Sequence, residues 1–200
     1  HVHSADEFTQ RVVADSRRRK LQPYIADTDD VFEYGVGTCL NLWPLECRSK
    51  VGFDLSDAGH EVAERHGIEF VTDLERVDGR QFSVVICHHV LEHVPDPLAT
   101  LGEMHSLLRP LGRIVLCVPF ETHRMYRRYV PNEPNHHLFS WNAITLGNLV
   151  SEAGFEVQQS GVRPFGYEQR LAPLSKFGSG VYRLGLRVVL RLRPADEIFL

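Results

Sequence analysis

The sequence has few of the features that define disulfide-rich, metal-bound or membrane-spanning proteins. It contains only four cysteines in 200 residues, with no C-x-x-C pair. Cys87 and Cys117 lie inside apolar runs, so we expect reduced, mostly buried thiols rather than a disulfide framework or a zinc site. No apolar segment approaches the roughly 18 residues that span a bilayer, and we expect no signal peptide. These absences predict a cytoplasmic protein without a transmembrane segment.

An excess of charge of one sign is also lacking. The chain has 22 basic and 26 acidic residues and a formal net charge of −4. This balance disfavours a protein that coats nucleic acid phosphates, so no nucleic acid partner is expected. Because 43% of the 200 residues are hydrophobic, the chain can enclose one sizeable core but is short for two. We therefore predict a single domain over residues 1–200, with an N-terminal helical segment over 1–28.

Strand and helix signals alternate along the chain. The strongest strand signal is the β-branched run "FSVVICHHV" at 82–90, which predicts a strand buried on both faces in the middle of a sheet. Six further strands are predicted over 30–35, 50–55, 68–71, 113–119, 155–162 and 197–200. The fold class predicted by this alternation is α/β, with a seven-stranded, mostly parallel sheet and helices on both faces.

The helices are predicted from capping and spacing signals. The first begins at a capping box formed by Ser4 and Glu7 and ends near the "RRRK" run at 17–20. Basic residues in a last turn suit the helix dipole, and a phosphate-binding patch is the alternative for this run. A short helix is predicted through Leu40 and Leu42, and another over 57–66. The next is capped by Asp96, has Pro97 at its first position and is ended by "RPLG" at 109–112. The last two are predicted from Ser140 to Gly154 and over 184–192.

One connection is too long for ordinary loop statistics. Residues 120–139 are polar, aromatic and proline-bearing, and they follow a predicted strand. We predict that this segment is a lid or acceptor loop.

The turn after the first strand carries two glycines, Gly35 and Gly37. Ligands of open α/β sheets bind beyond the carboxyl ends of the strands, and glycines there let the backbone turn sharply and approach the ligand. The dinucleotide fingerprint requires a third glycine where this chain has Leu40, which disfavours an NAD enzyme. No G-K-[ST] follows, so a P-loop is excluded.

Two acidic residues stand at the ends of the next strands. Asp54 lies 17 residues beyond Gly37, where a carboxylate could accept both hydroxyls of a ribose. Asp73 follows the third strand and could reach an adenine amino group. The alternative for each is a helix cap or a turn former, which is a common role for aspartate at a strand end.

Several ordered motifs together resemble one protein family. They are "VFEYGVG", "VGFDLSD", "FVTDLE", "FSVVICHHVLEHVPDP", "LLRPLGRIVLCVP" and "HHLFSWNAITLGNLVSEAGFEV". Over roughly residues 29–160 the chain resembles the class I S-adenosylmethionine-dependent methyltransferases, in particular the small single-domain type with a VLEHVPDP signature. The resemblance implies a Rossmann-like fold, S-adenosylmethionine as cofactor and S-adenosylhomocysteine as product.

The resemblance also implies cofactor-binding residues. Glu33, Gly35 and Gly37 would form the first cofactor motif. Asp54, followed by Leu55, would bind the ribose. The other implied positions are Asp73 and Leu74 beside the adenine and His88 at the wall beside the methionine moiety. This chain departs from the usual pattern in "GVGTC", where G-x-G-x-G is more common, and in Ser83, where many relatives have Asp.

Histidines are numerous, eleven in all, and they cluster in "HHVLEH" and in the 120–139 segment. We predict His89 and His137 as catalytic candidates, because imidazole is the natural base near neutral pH. A structural or cofactor-wall role is the alternative for His89, and a polar turn is the alternative for His123, His136 and His137. His89 and His93 stand four apart, but a third ligand and the H-E-x-x-H order are missing, so no metal site is predicted.

The predicted activity is methyl transfer from S-adenosylmethionine to a small-molecule acceptor. A small acceptor is expected because the lid is short and no recognition domain is added. O-methylation is preferred, with N- or C-methylation open. The alternatives are a macromolecular methyltransferase and a catalytically inactive S-adenosylmethionine-binding interaction module. The oligomeric state is left open.

Arg183, Arg187 and Arg191 stand at four-residue steps from just before the predicted last helix to near its end, with apolar residues between them. Such a stripe could lie on an anionic membrane surface. The ordinary interpretation, a helix that covers the sheet and turns its arginines to solvent, is favoured over this one.

Overall fold

In the computed structural model, which describes residues 6–121, 128–129, 131 and 134–200, seven strands form one sheet in the order β3-β2-β1-β4-β5-β7-β6. Neighbours among β1 to β5 pair in parallel, and β7 runs antiparallel to both β5 and β6. The strands are β1 (Asp30–Tyr34), β2 (Ser49–Phe53), β3 (Glu69–Val71), β4 (Phe82–His88), β5 (Leu108–Phe120), β6 (Gly161–Pro164) and β7 (Asp196–Phe199). The predicted seven-stranded, mostly parallel sheet is confirmed.

Six α-helices accompany the sheet in the described part of the chain. They are α1 (Glu7–Leu21), α2 (His60–Arg65), α3 (Pro97–Ser106), α4 (Ala143–Glu152), α5 (Glu168–Leu171) and α6 (Ser179–Leu192). Short 3₁₀ turns occupy Gln22–Tyr24, Asp57–Gly59, Leu74–Val77 and Ala172–Phe177. None of the described helices is both long enough and apolar enough to cross a bilayer.

The central strand β4 separates two apolar clusters. All seven of its residues are buried, as its β-branched composition predicts. Val84 and Ile86 point to the face that α1 and α2 cover, where Leu21 packs with them. Val85 points to the opposite face, which α3 and α4 cover. Helices therefore lie on both faces, and all four cysteines are free thiols, three of them buried.

Strand alternation places a row of polar side chains on the α1 face of the sheet. Glu33 follows Val31 by two residues on β1, and His88 follows Ile86 by two on β4, so each shares a face with an apolar residue of the α1 cluster. Glu197 precedes Ile198, which packs on the opposite face. These polar residues lie where the parallel strands end, so this end of the sheet positions the site.

Two predicted helix starts are corrected. Ser4 lies outside the described residues, and α1 begins after Asp6, whose carboxylate accepts the backbone N–H of Thr9. The cap of α4 is Asn142 and not Ser140. Its side-chain oxygen accepts from the backbone of Thr145 at 3.0 Å, and Thr145 completes a capping box. Asp96 caps α3 with Pro97 first in the helix, as predicted.

Three other boundaries also differ from the prediction. The helix expected through Leu40 and Leu42 is a series of turns, because Gly35, Gly37 and Cys39 all have positive φ, which interrupts a right-handed helix. The "RPLG" segment belongs to β5, which starts at Leu108. Residues 155–160 have no regular structure, and β6 begins only at Gly161.

Candidate functional site

The first glycine turn is tied to the end of β2 by backbone hydrogen bonds. The N–H of Gly35 donates to the carbonyl of Phe53 at 2.8 Å. The N–H of Gly37 donates to Oδ2 of Asp54 at 2.8 Å, and Ser56 donates its N–H to Oδ1 at 2.9 Å. Because two amides hold the carboxylate, Asp54 is oriented at the mouth of the turn before any ligand arrives.

The two glycines have different surroundings. A Cβ on Gly35 would lie 2.3 Å from Cγ2 of Val90, so no larger residue fits there. A Cβ on Gly37 would meet no described atom within 4 Å. Both have positive φ, at 74° and 50°. Gly35 is therefore required by packing, whereas Gly37 leaves open space beside Asp54.

Glu33 is a fully buried carboxyl beside this turn. Its Oε1 accepts from Nδ2 of Asn41 at 2.7 Å, and its Oε2 has no partner among the described residues. Burial raises the pKa of Glu33 to about 8, and the positive charges of Arg17 and Lys20 act in the opposite direction. One oxygen is thus available to a ligand donor.

The remaining predicted positions near the cofactor motif lie at the ends of β2 and β3. Asp73 caps the 3₁₀ turn Leu74–Val77, where its Oδ1 accepts from the N–H of Glu75 at 3.0 Å. The turn-former alternative therefore holds for Asp73 in this structure. Leu55 is an exposed apolar side chain next to Asp54.

The "RRRK" run divides between two sides of α1. Arg17 and Lys20 are three apart and point toward the sheet, while Arg18 and Arg19 pair with Glu46 and Asp15 on the outside. Arg17 has no carboxylate partner in the part of the chain that the structure describes. Its guanidinium lies 4.4 Å from the ring centroid of Phe165, and Nζ of Lys20 lies 4.6 Å from it.

His88 ends β4 beneath these two cations, and His89 follows it. Their rings stack at 4.4 Å, and Nε2 of His88 lies 2.9 Å from Nη1 of Arg17 and 2.5 Å from Nζ of Lys20. Burial lowers the pKa of His88 well below its usual range and that of His89 to about 4, so both rings are neutral at pH 7. His89 also has φ of 58°, which is uncommon for a side chain that is not glycine and concentrates at functional sites.

Glu197 on β7 contacts Lys20 and both histidines. It is fully buried, its Oε2 lies 2.9 Å from Nζ of Lys20 and its Oε1 accepts from Nε of Arg163 at 2.6 Å. The rings of His88 and His89 lie 3.5 and 3.4 Å from it. Burial opposes ionisation, but the histidine hydrogen bonds and the charge of Lys20 outweigh it and hold the pKa of Glu197 well below its usual range.

A second histidine group includes one residue from each end of the 120–139 segment. Nδ1 of His137 is 2.6 Å from Oε1 of Glu121, which favours the neutral tautomer that donates through Nδ1–H and accepts at Nε2. Glu92 is buried nearby. Neither of its oxygens has a hydrogen-bond partner among the described residues, although Oε1 lies 3.9 Å from Nδ1 of His89 and from Nε2 of His93, and burial raises its pKa to about 8. The ring of His93 packs edge-on against His137 at 4.9 Å.

Both groups bring together side chains of the types that bind metals. His88, His89 and Glu197 each offer an atom within 4.8 Å of the others, as do Glu92, His93 and His137. The first trio is already occupied by the ammonium of Lys20, which opposes a cation there. The expectation of no metal site stays a prediction. His123 lies outside the described residues, so its predicted role in the lid does too.

Comparison with known proteins identifies the family. A family model described as a methyltransferase domain matches residues 5–160. The chain belongs to the class I S-adenosylmethionine-dependent methyltransferases. A methyltransferase is an enzyme, and S-adenosylmethionine is the cofactor of this family.

The individual relatives match over smaller parts of the chain. The ubiquinone biosynthesis O-methyltransferase of Pseudomonas aeruginosa is 33% identical over 34% of this chain and 34% of that protein. The protein of the same name from Nitrosospira multiformis is 28% identical over 65% of this chain and 64% of its own length. The chain thus spans about a third of the length of the first curated relatives that it matches.

A solved structure shows the same fold. The magnesium protoporphyrin IX methyltransferase of Synechocystis PCC 6803, with bound S-adenosylhomocysteine, superimposes with a TM-score of 0.60 at 19% identity and covers 79% of this chain and 78% of that one. The Rossmann-like methyltransferase fold expected from the sequence is confirmed.

The residues at the β1 and β2 ends fit this cofactor. The free space beside Gly37 admits a ligand where a side chain would otherwise stand. The unpartnered Oε2 of Glu33 can accept from a ligand ammonium, and the held carboxylate of Asp54 retains lone pairs for hydroxyls.

Proposed function

We propose that this methyltransferase transfers a methyl group to a small-molecule acceptor, with O-methylation preferred and N- or C-methylation as alternatives. The observation that carries the proposal is the carboxylate of Asp54 held beside the open space at Gly37, which we assign as the cofactor cradle. The imidazole of His137, oriented by Glu121, is the candidate base. The relatives named for O-methylation in ubiquinone biosynthesis support an oxygen acceptor.

In this proposal the residues at the ends of β1 and β2 contact different parts of the cofactor. Glu33 accepts from the ammonium of the methionine moiety, and Gly35 and Gly37 let the backbone come close. Asp54 accepts the ribose hydroxyls. Leu55, which is 87% exposed, offers an apolar surface for the adenine ring to cover.

Three further residues complete the cofactor contacts. Asp73 and Leu74 flank the adenine from the end of β3, where Asp73 also caps its turn. His88 forms the wall beside the methionine moiety. Its burial and its neutral ring suit that role, because a neutral imidazole does not repel the sulfonium.

Arg17 is an addition that the sequence did not suggest. Its guanidinium is partly buried, lacks a carboxylate among the described residues and acts electrostatically on Glu33. We assign it to the carboxylate of the methionine moiety, since guanidinium forms strong paired hydrogen bonds with carboxylate.

The protein's part in the chemistry is alignment and proton removal. The bound cofactor supplies an electrophilic methyl group. The chain holds the acceptor in line with that group and, for a hydroxyl of high pKa, removes its proton. His137 suits the base role because Glu121 fixes its tautomer and leaves Nε2 free to accept. His89, with a pKa of about 4, is a weak base, so we assign it to orienting the acceptor.

Calorimetry with S-adenosylhomocysteine tests the cofactor half of the proposal. Arg17→Gln should weaken binding by about tenfold, which corresponds to one charge-assisted contact. Arg18→Gln is the matched control, because Arg18 is the next residue in the chain and its guanidinium pairs with Glu46 on the outside of α1. Equal affinities for the two variants would refute the Arg17 assignment.

A transfer assay tests the acceptor half. Methyl-labelled cofactor is incubated with panels of phenols, amines, carboxylic acids, proteins and RNA, and the labelled product is identified by mass spectrometry. Label in a phenolic hydroxyl supports the proposal. Label in protein or RNA supports a macromolecular methyltransferase, and cofactor binding without transfer to any acceptor supports an interaction module.

A further inference from the structure

The helix α6 exposes an apolar stripe on its outward face. Val181, Leu184, Val188 and Leu192 are spaced three or four residues apart, which places them on one side of the helix. All four side chains are exposed, Leu184 at 61% and Leu192 at 77%. Phe177, just before the helix, is also exposed at 77%. The ordinary interpretation of this helix, in which its apolar residues cover the sheet, does not explain these positions.

The inward face of α6 is already filled by other residues. Tyr182 is buried, and a Cβ on Gly185 would lie 2.6 Å from Cδ1 of Leu174, so the helix is closely packed there. The outward stripe is therefore not needed to attach the helix to the domain. Contiguous exposed apolar surface of this kind marks an interaction site.

Basic residues flank the stripe. Arg183, Arg187 and Arg191 are exposed at four-residue steps on the adjoining side of the same helix. The segment 170–193 has six basic residues and no acidic one, in a chain whose formal net charge is −4. The six are Arg170, Lys176, Arg183, Arg187, Arg191 and Arg193.

We propose that α6 is a peripheral membrane-binding helix that lies on an anionic lipid bilayer. The apolar stripe enters the boundary between headgroups and acyl chains, and the long arginine side chains reach back to lipid phosphates. Cationic charge contributes attraction to an anionic leaflet, and apolar burial adds the remainder. Nucleic acid would use the arginines but would leave the four apolar residues exposed to water, so a bilayer fits both features. This proposal is independent of the identity of the acceptor.

Vesicle sedimentation tests it with the full chain. Vesicles of phosphatidylglycerol and phosphatidylcholine in equal parts should pellet the protein, whereas pure phosphatidylcholine should pellet it at least about tenfold less well. Added salt should release it, because exposed charges are screened.

Variants test the stripe and the arginines in turn. Leu184→Asp should weaken sedimentation about tenfold, because it removes apolar burial and adds a charge that the anionic bilayer repels. Arg183→Gln with Arg187→Gln and Arg191→Gln should weaken it similarly by removing positive charge. Leu111→Asp is the matched control, because Leu111 is fully exposed on another part of the surface. All variants change exposed side chains, and thermal melts check that each is folded.

Two outcomes would overturn the proposal. Equal sedimentation with both vesicle types, or sedimentation of the Leu184→Asp variant at the level of the unmodified protein, would show that the stripe does not bind anionic bilayers. A dimer that Leu184→Asp dissociates, without any binding to vesicles, would assign the stripe to contact between copies of this chain.

Discussion

The backbone N–H of Gly37 donates to Oδ2 of Asp54 over 2.8 Å, and this bond joins the glycine turn after β1 to the end of β2. The other oxygen of the carboxylate accepts from Ser56. The acid that we assign to the ribose is therefore fixed by two backbone amides, so a ligand meets an ordered group and little entropy is lost on binding.

The two glycines of the turn should respond differently to alanine. Gly35→Ala places a Cβ against Val90 and should lower the free energy of unfolding by about 1–3 kcal/mol through overpacking, with positive φ adding strain. Gly37→Ala meets open space, so only the φ strain of about 1–2 kcal/mol applies, while cofactor affinity should fall markedly. Urea unfolding and calorimetry of both variants measure the two effects. A larger stability loss for Gly37→Ala would contradict this division.

Glu33 and Glu92 should make the ligand-free protein less stable as pH rises. Burial raises the pKa of each to about 8, above the ordinary value of 4.5, so the folded state binds more protons than the unfolded state between those limits. Their contribution to stability is complete below pH 4.5 and is lost progressively up to pH 8. Urea unfolding measures the free energy of unfolding across this pH range. That free energy should fall less steeply with pH for Glu33→Gln and for Glu92→Gln than for the unmodified protein. Parallel curves would refute the raised pKa values.

Glu197→Gln should destabilise the protein strongly. It leaves Lys20 and Arg163 without their buried carboxylate, and removing one partner of a buried ion pair costs about 3–5 kcal/mol. Because the folded pKa lies below the ordinary one, this contribution is present above about pH 4.5 and is lost as pH falls. Glu69→Gln breaks an exposed pair with Arg80 and is the control, expected to cost at most about 1 kcal/mol. Unfolding in guanidinium chloride measures the loss of unfolding free energy for each variant. Similar losses for Glu197→Gln and Glu69→Gln would contradict a stabilising role for the buried carboxylate.

His137→Asn should lower kcat by about 10² to 10⁴ while leaving the affinity for S-adenosylhomocysteine unchanged, because only the base is removed. Glu121→Gln should lower kcat less, since it disturbs the tautomer and not the accepting nitrogen. His93→Asn is the control and should have little effect. The alternative is a metal site at Glu92, His93 and His137, and steady-state kinetics with and without a metal chelator tests it. If the chelator abolishes activity and His93→Asn has a large effect, the metal site replaces the base in this account.

The sequence was sufficient for the sheet because its strands and helix caps carry local signals. The buried run of β4 and the capping of α3 by Asp96 are short-range patterns, and both are confirmed. The predicted helix through Leu40 was wrong because Cys39 adopts a left-handed conformation, which depends on its tertiary packing and not on propensity. Glu197 was missed because its partners come from α1, β4 and β6, and the insertion of β7 between β5 and β6 brings them together.

The inward placement of Arg17 could have been inferred in part. Helical spacing puts Arg17 and Lys20 on one side of α1 and Arg18 and Arg19 on another, so the basic run has two faces. Neither the helix-dipole nor the phosphate-patch interpretation separated them. The direction of the inner pair follows only from the position of α1 over the polar end of the sheet.

The most direct test of the cofactor site is a calorimetric titration of the unmodified protein, Asp54→Ala and Asp78→Ala with S-adenosylhomocysteine. Asp78 is an exposed acid after the turn that follows β3, and its loss should leave affinity unchanged. Asp54→Ala should weaken binding by at least about tenfold, equivalent to about 1.4 kcal/mol, while thermal melts still show a folded protein. An affinity for Asp54→Ala equal to that of the unmodified protein would contradict the assignment of the cradle to the adenosyl group.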